Sequence, residues 1–142
     1  MYSTYHMCGI IFTVEISIFE KIANREIPGY IVWEDEEFMA FLDINPLARG
    51  HTLVIPKTNI GDYIFEIEEA QYSKLMIATR KVAKLLKKKL SCKRILVWVE
   101  GYAVPHVHVH LIPSLEAEEM LENKRIEISQ EELKKIQERI IS

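Results

Sequence analysis

Within the segment 105–113, polar and apolar residues alternate one by one from His106 to Leu111. The polar positions hold His106, His108 and His110, and aliphatic residues stand between them. Alternation with a period of two is typical of a β-strand that buries one face. The pattern therefore predicts a strand over His106–Ile112, with the imidazoles on one face of a sheet and the aliphatic side chains in the core on the other.

Three helices are predicted from periodicity and from capping residues. Ser17–Asn24 is expected to form a short helix that ends before a Pro-Gly pair. Over Ile67–Leu90, apolar residues recur at three- and four-residue steps, which predicts a long amphipathic helix. Near the C-terminus, Ser129 and Glu132 form a capping-box pattern ahead of a helix that runs to about Ile141.

Further strands are expected at Tyr30–Trp33, Phe38–Leu42, His51–Ile55 and Arg94–Glu100. This order of elements predicts an α+β domain with a five-stranded, mainly antiparallel sheet, one long and one short helix, and a C-terminal helix. We expect residues 15–115 to form the domain, 1–14 to be an N-terminal arm and 116–142 to be a charged extension with the last helix. The arm shows no clear period, so an irregular segment and an extra strand both fit it.

Composition narrows the classes of function. The chain has 142 residues, of which 49% are hydrophobic, and this is enough for one ordinary core. The net charge of -3 gives no field that would attract nucleic acid or an anionic membrane, so neither is expected as a partner. The apolar run 9–14 is too short for a membrane span and lacks the features of a signal peptide, which favours a cytoplasmic location. Cys8 and Cys92 are far apart in sequence and are expected to be free thiols.

Three kinds of chemistry fit the row of histidines when the residues are considered alone. Three imidazoles can hold a zinc ion and leave one position open for water. A neutral imidazole can instead attack a phosphate group while its neighbours hold the phosphate oxygens. The histidines could also be merely exposed on a sheet face, which is the weakest of the three explanations because such a row is unusual for packing alone.

A second segment, from Asp43 to Lys57, contains His51 at the start of a predicted strand and completes a recognisable pattern. With it, the chain resembles the histidine triad family of nucleotide hydrolases and transferases, whose signature is His-φ-His-φ-His-φ-φ with φ apolar. The resemblance covers roughly residues 17–113 and is closest to the Hint-like branch. It implies a five-stranded sheet and a homodimer in which two sheets join.

The resemblance also implies a reaction. His108 would attack the α-phosphate of a purine nucleotide derivative and carry a nucleotidyl intermediate, which water then hydrolyses to release a nucleoside monophosphate. His106, His110 and His51 would orient the nucleophile and bind phosphate oxygens. The expected activity is that of a phosphoramidase or related hydrolase. A dinucleoside polyphosphate hydrolase and a nucleotide-binding protein with negligible turnover are the alternatives.

The nucleoside part of the site follows from the same resemblance. Asp43 would accept hydrogen bonds from both ribose hydroxyls, although a carboxylate before an Asn-Pro pair is equally typical of a turn. Backbone groups around Gly101 and Tyr102 would lie near the phosphates. The base pocket would be lined by five apolar residues, each of which taken singly would more often be plain core: Phe19, Ile27, Phe41, Ile44 and Leu53.

The chain departs from the family pattern at two places. Many relatives bind a structural zinc through two cysteines, a later histidine and the first histidine of the triad, whereas this chain has Ser17, Glu20 and Asn59 at the first three positions. We therefore expect no metal and no other cofactor. The link before the triad is also short, and it carries Tyr102 where relatives have glutamine, so it offers fewer side-chain donors to a substrate.

Overall fold

The computed structural model describes residues 2–7, 10–116 and 124–142. Over these ranges the chain forms seven strands and three helices. In chain order they are β1 (Tyr2–Met7), β2 (Ile10–Glu15), α1 (Ile18–Ala23), β3 (Ile31–Glu34), β4 (Phe38–Leu42), β5 (Thr52–Pro56), α2 (Glu69–Lys89), β6 (Arg94–Trp98), β7 (Val109–Ser114) and α3 (Gln130–Ile141).

Five of these strands form one sheet in the order β3-β4-β5-β7-β6, and every neighbouring pair is antiparallel. The predicted α+β fold is therefore confirmed. Strand β7 lies inside the sheet, where His110 stands opposite Leu53 of β5 and Trp98 of β6. This register places the end of the histidine row between two paired neighbours, on a rigid part of the fold.

The two faces of the sheet bury two different sets of side chains. Helices α2 and α3 cover one face, where Val107, Val109 and Leu111 are fully buried in the main core. The predicted division of the segment 105–113 into an aliphatic and a histidine side is thus confirmed. The opposite face carries the histidines beside a smaller apolar cluster, whose buried members are Phe19, Ile22, Met39, Phe41, Leu53 and Ile55.

Two strand boundaries next to the short link differ from the prediction. The last strand begins at Val109 rather than at His106, and the strand predicted to reach Glu100 ends at Trp98. The reason is that backbone groups before Val109 bind partners outside the sheet. The Val107 N–H, for example, donates to the Gly61 carbonyl at 2.7 Å. The chain before β7 is therefore held by a loop, although its side chains keep the alternation of a strand.

Both ends of the chain form regular structure. Strands β1 and β2 pair with each other in a separate antiparallel sheet of two strands. Of the two possibilities for the N-terminal arm, the described residues therefore form strands and not an irregular segment. Helix α3 begins after Ser129 with the predicted capping box to Glu132. No helix among the described residues is long and apolar enough to cross a membrane. Cys92 is a free thiol, and Cys8 lies outside the described residues.

Candidate functional site

Four histidines meet on the face of the sheet opposite α2. Three come from β7 and the residues just before it, and His51 directly precedes β5. All four are buried, with between 0% and 4% of their surface exposed. The explanation that these histidines are merely exposed on a sheet face is therefore wrong. Buried polar rings must be satisfied by hydrogen bonds, and those bonds decide which nitrogen of each ring carries a proton.

His108 presents a free lone pair. Its Nδ1 lies 2.7 Å from the backbone carbonyl of His106. A carbonyl oxygen only accepts, so Nδ1 must carry the proton and Nε2 keeps its lone pair when the ring is neutral. The ring of Phe19 contacts the imidazole edge-on at 5.0 Å between centroids. This is the state that a nucleophilic histidine needs, with one nitrogen held as a donor and the other available to attack.

His51 and His110 form a hydrogen-bonded pair in which His51 is the donor and His110 the acceptor. The backbone N–H of Leu47 donates to His51 Nδ1 at 2.9 Å, so the proton of the neutral His51 ring is on Nε2. That Nε2 lies 2.9 Å from His110 Nδ1, which must accept. The proton of His110 is then on its own Nε2. One backbone amide thus fixes the tautomers of two histidines in series.

The hydrogen bonds that run from the Leu47 N–H through His51 to His110 are called the relay here, and its last atom is His110 Nε2. Among the residues that the structure describes, His110 Nε2 is the one buried side-chain nitrogen or oxygen atom without a hydrogen-bond partner. Leaving a buried N–H unpaired costs about 1–3 kcal/mol, which a bound ligand would recover. One nitrogen of His108, one nitrogen of His110 and a carboxylate oxygen of Glu100 lie within 4.8 Å of one another. The two imidazoles themselves are in contact, with ring centroids 4.9 Å apart, so the ring with the unpartnered N–H adjoins the ring with the free lone pair.

Burial keeps both members of the relay uncharged at neutral pH. It lowers the pKa of His51 to about 4, helped by His110 and Arg125 and opposed by the carboxylate of Asp43. Burial likewise lowers the pKa of His110 to about 4, helped by His108. When both rings are uncharged, moving either proton to the other ring nitrogen would break the hydrogen bond from Leu47. At pH 7 the protons of His51 and His110 are therefore both held on Nε2.

His106 is satisfied on both sides of its ring. Its Nε2 donates to the Pro56 carbonyl at 2.7 Å, and its Nδ1 accepts from the Ser17 hydroxyl at 2.6 Å. The Ser17 oxygen also accepts the Glu20 N–H at the start of α1. Burial lowers the pKa of His106, so this ring is neutral too. With both nitrogens used, His106 supports its neighbour His108 through its backbone carbonyl.

These tautomers bear on the alternative of a metal site. Asp43, His51 and His110 form one group whose ligand atoms lie within 4.8 Å of one another, and the Glu100 group is another. However, both nitrogens of His51 are in hydrogen bonds, and the remaining nitrogen of His110 carries a proton. A metal needs lone pairs. The relay leaves only His108 with one to offer among these three histidines, which makes each group a poor metal site.

Asp43 joins the loop after β4 to the histidines. Its Oδ1 accepts the Asn45 N–H at 2.8 Å, which is the turn role expected for an aspartate before Asn-Pro. Its Oδ2 lies 3.7 Å from His51 Nε2 and 3.0 Å from Arg125 Nη1. The carboxylate therefore shapes the turn and also borders the histidine cluster, so its two expected roles are compatible.

The structure brings together four of the five apolar residues predicted to line a base pocket. Phe19, Phe41 and Leu53 are buried in the smaller cluster, and Ile27 packs against it. The rings of Phe19 and Phe41 meet edge-on at 5.4 Å. Ile44, by contrast, is 72% exposed and does not belong to this cluster. The apolar cluster lies directly beside His108 through Phe19.

The link between β6 and the histidine segment contains the last two predicted site residues. Gly101 has φ +77°, and a Cβ there would lie 2.5 Å from the Asp62 carbonyl oxygen, so a side chain would not fit. Tyr102 is 91% exposed, and the structure does not bring its side chain to the histidines. Its N–H donates to the Glu100 carboxylate at 3.0 Å, which helps to fix the link.

Sequence reasoning missed Glu100, Trp98 and Arg125 as neighbours of the histidines. The Trp98 ring lies 5.4 Å from that of His110, opposite it in the sheet. Pairing the predicted strand 94–100 against β7 in register would have found this contact. Arg125 comes from a part of the chain with no periodic or motif signal, so nothing in the sequence points to its contact with Asp43.

Comparisons with known proteins agree with this architecture. The profile of the HIT domain matches residues 24–117. An uncharacterized HIT-like protein of Methanocaldococcus jannaschii is 40% identical over 105 residues, covering 71% of this chain and 81% of that protein. The crystal structure of a Hit-like protein from Bartonella henselae, described as involved in cell-cycle regulation, superposes with a TM-score of 0.74 at 33% identity, covering 88% and 94% of the two chains.

A third similar protein is a Zn-bound histidine triad family protein from Mycobacterium smegmatis. Its structure superposes with a TM-score of 0.72 at 25% identity, covering 87% of this chain and 91% of that one. The HIT domain profile covers more than half of the chain and includes all four clustered histidines. From its sequence, its sheet and these matches, the chain belongs to the histidine triad (HIT) family.

Proposed function

We propose that this protein is a phosphoramidase-like hydrolase that cleaves purine nucleotide derivatives at the α-phosphate. Membership of the HIT family indicates nucleotide hydrolase or transferase activity. The observation that carries the finer proposal is the pair formed by the free lone pair of His108 and the unpartnered N–H of His110. The first can attack phosphorus, and the second can donate to a phosphoryl oxygen.

In the first step, His108 Nε2 forms a bond to the α-phosphorus, and the bond from phosphorus to the leaving group breaks with its electron pair. A leaving carboxylate needs no proton, whereas a leaving amine takes one from solvent. His110 donates a hydrogen bond from Nε2 to a phosphoryl oxygen and stays neutral, because the relay from Leu47 holds its Nδ1 as an acceptor. Its N–H is fixed before the substrate arrives, so it needs no rearrangement during reaction.

In the second step, water attacks the phosphorus of the nucleotidyl-histidine. The bond to His108 Nε2 breaks, a proton from the water passes to solvent, and a nucleoside monophosphate leaves. The His106 carbonyl accepts from His108 Nδ1 throughout, so it stabilises the positive charge that the ring carries while it is bonded to phosphorus. The backbone before β7 therefore supports both steps.

A single-turnover assay with AMP-phosphoramidate tests the proposal against its alternatives. With enzyme in excess we expect all of the phosphoramidate to be converted to AMP, and with substrate in excess we expect continued turnover. A dinucleoside polyphosphate hydrolase would instead turn over diadenosine polyphosphates faster than the phosphoramidate. A nucleotide-binding protein with negligible turnover would bind AMP and release no product.

Removing the carboxylate of Asp43 should change the selectivity for the sugar. If Asp43 accepts hydrogen bonds from both ribose hydroxyls, 2′-deoxy-AMP should bind about five- to a hundredfold more weakly than AMP, since a missing partner costs about 1–3 kcal/mol. Asp43→Ala should erase most of this preference and leave the chemistry at His108 intact. Calorimetric titration of both nucleotides into both proteins measures the effect.

The alternative role of Asp43 gives a different result. If the carboxylate only accepts the Asn45 N–H in the turn, Asp43→Ala should lower the melting temperature and leave the sugar preference unchanged. Asp43→Asn is a useful second variant, because its amide oxygen can still accept the Asn45 N–H. Equal affinity of the wild-type protein for AMP and 2′-deoxy-AMP would remove Asp43 from the site.

The zinc site of some HIT proteins does not fit the residues of this chain. At the position of one cysteine ligand, the Ser17 hydroxyl instead donates to His106 Nδ1 at 2.6 Å. Asn59 stands at the position of a histidine ligand, and both polar ends of its side chain bind the backbone, at Pro105 and Gly61. A hydrogen bond thus joins the N-cap of α1 to the histidine segment, at a position where the family resemblance implies a metal in many relatives.

The purified protein should therefore contain no stoichiometric zinc, and its activity should survive chelation. Elemental analysis and assays with and without EDTA measure this. Ser17→Cys combined with Glu20→Cys and Asn59→His is the matched control, because it supplies thiolate and imidazole ligands and should gain zinc. About one tightly held metal per wild-type chain, with activity lost in EDTA and restored by zinc, would favour hydrolysis at a metal site.

We also propose a cytoplasmic homodimer. Within the described part of the chain, β6 is an edge strand that pairs on one side with β7. Val97 and Trp98 on this strand are 54% and 39% exposed, which suits an edge that is covered by a second copy. Pairing of two β6 strands would join two five-stranded sheets into one.

A further inference from the structure

The segment that precedes α3 is attached to the loop between β4 and β5. The Ile126 N–H donates to the Pro46 carbonyl at 2.8 Å. The Arg125 guanidinium donates from Nη1 to the Asn45 carbonyl at 2.6 Å and to Asp43 Oδ2 at 3.0 Å. Three bonds thus fasten two consecutive residues of the C-terminal extension to the turn that carries Asp43.

These contacts leave room for a ligand on the carboxylate. An ionised carboxylate offers about four acceptor positions on its two oxygens. Asp43 uses one on Oδ1 for the Asn45 N–H and one on Oδ2 for Arg125, so each oxygen keeps a lone pair. Two vicinal ribose hydroxyls need two acceptors. A carboxylate held from both sides is therefore ready to bind them with little loss of side-chain freedom.

We propose that Arg125 is a positioning residue for the ribose, acting through Asp43. This inference rests on the proposed function, because it assumes that Asp43 binds a ribonucleotide. Arg125 fixes the rotation of the carboxylate, because its guanidinium is bonded both to Asp43 Oδ2 and to the Asn45 carbonyl of the same turn. The 13% exposure of the Asp43 side chain leaves it partly desolvated, which strengthens a charge-assisted hydrogen bond.

Arg125 lies outside the residues 24–117 that match the HIT domain profile. By this proposal, the C-terminal extension contributes to the nucleotide site through its bonds to the turn that carries Asp43. A second contact supports this geometry, since Arg49 in the same loop pairs with Glu132 of α3 at 3.0 Å. That ion pair holds α3 against the loop without contacting Asp43. Removing Arg49 therefore shows what loss of the attachment alone does, and removing Arg125 also removes the contact with Asp43.

The test is calorimetric titration of AMP and 2′-deoxy-AMP into the full-length protein and four variants. Arg125→Ala should weaken AMP binding about 10-fold and reduce the preference for AMP over 2′-deoxy-AMP to less than about twofold. Arg125→Lys keeps the charge and should retain an intermediate preference. Arg49→Ala and Lys124→Ala are the controls, and both should keep the wild-type preference. In steady-state assays, Arg125→Ala should raise KM about 10-fold and change kcat by less than about threefold.

Each other outcome overturns the inference. AMP affinity and sugar preference that are unchanged in Arg125→Ala would make Arg125 a bystander. Tighter AMP binding in Arg125→Ala would mean that the guanidinium competes with the ribose for Asp43. A loss of sugar preference in Arg49→Ala as well would show that only the attachment of the loop matters. Failure of the wild-type protein to bind AMP would instead contradict the proposed function itself.

Discussion

His108→Asn should abolish turnover of AMP-phosphoramidate, lowering kcat about a thousandfold or more, while AMP affinity stays within an order of magnitude. The reason is that the variant removes the nitrogen that attacks phosphorus. It keeps a donor to the His106 carbonyl, because an asparagine amide N–H can take the place of Nδ1–H. The pocket should therefore survive without the covalent step.

Rapid quench followed by mass spectrometry provides the second measurement. Wild-type enzyme should show a nucleotidyl adduct on His108, and the variant should show none. Activity close to that of wild type in a contamination-free preparation of His108→Asn would contradict the assignment of the nucleophile. Loss of both activity and AMP binding would mean that His108 holds the pocket together instead.

Breaking the relay should also lower kcat. His51→Phe leaves His110 Nδ1 without its donor, so the His110 ring can place its proton on either nitrogen. Part of the protein then presents a lone pair to the phosphate in place of an N–H. Molecules in that tautomer lack a donor whose removal costs about a hundred- to a thousandfold in kcat, so the kcat of His51→Phe should fall in proportion to their share of the protein.

His51→Gln is the matched variant for this prediction. The glutamine amide can still donate to His110 Nδ1, so it should retain far more activity than His51→Phe. Nitrogen NMR of the ring reports the tautomer of His110 directly, and should show a proton on Nε2 in wild type and in His51→Gln. Equal kcat values for the phenylalanine and glutamine variants would show that the relay has no part in the reaction.

The periodic segments could be predicted well from the sequence. The alternation around His108 and the three- and four-residue steps of α2 reflect one buried face each, and they need no knowledge of the partner elements. The ends of the strands could not be predicted in this way. The start of β7 depends on the Val107 N–H finding the Gly61 carbonyl, a partner far away in the sequence.

The candidate site shows the same division. The four histidines and Asp43 lie in motifs and could be named from the sequence alone. The proton positions could not, because they depend on the Leu47 amide and the Pro56 carbonyl, whose directions are set by the folded loops. Arg125 was missed because its contact with Asp43 is made by a segment without a pattern of its own.

Both faces of the segment from His106 to Leu111 are buried, since its aliphatic side chains pack in the core under α2 and its imidazoles form the site. A single residue inserted or deleted inside it would exchange the two sets, placing histidines in the core and valines in the site. The link 99–105 is different, because added residues there lengthen a loop and do not exchange the two faces of the strand that follows. Changes in chain length during divergence should therefore accumulate in the link and be absent from the strand it leads into.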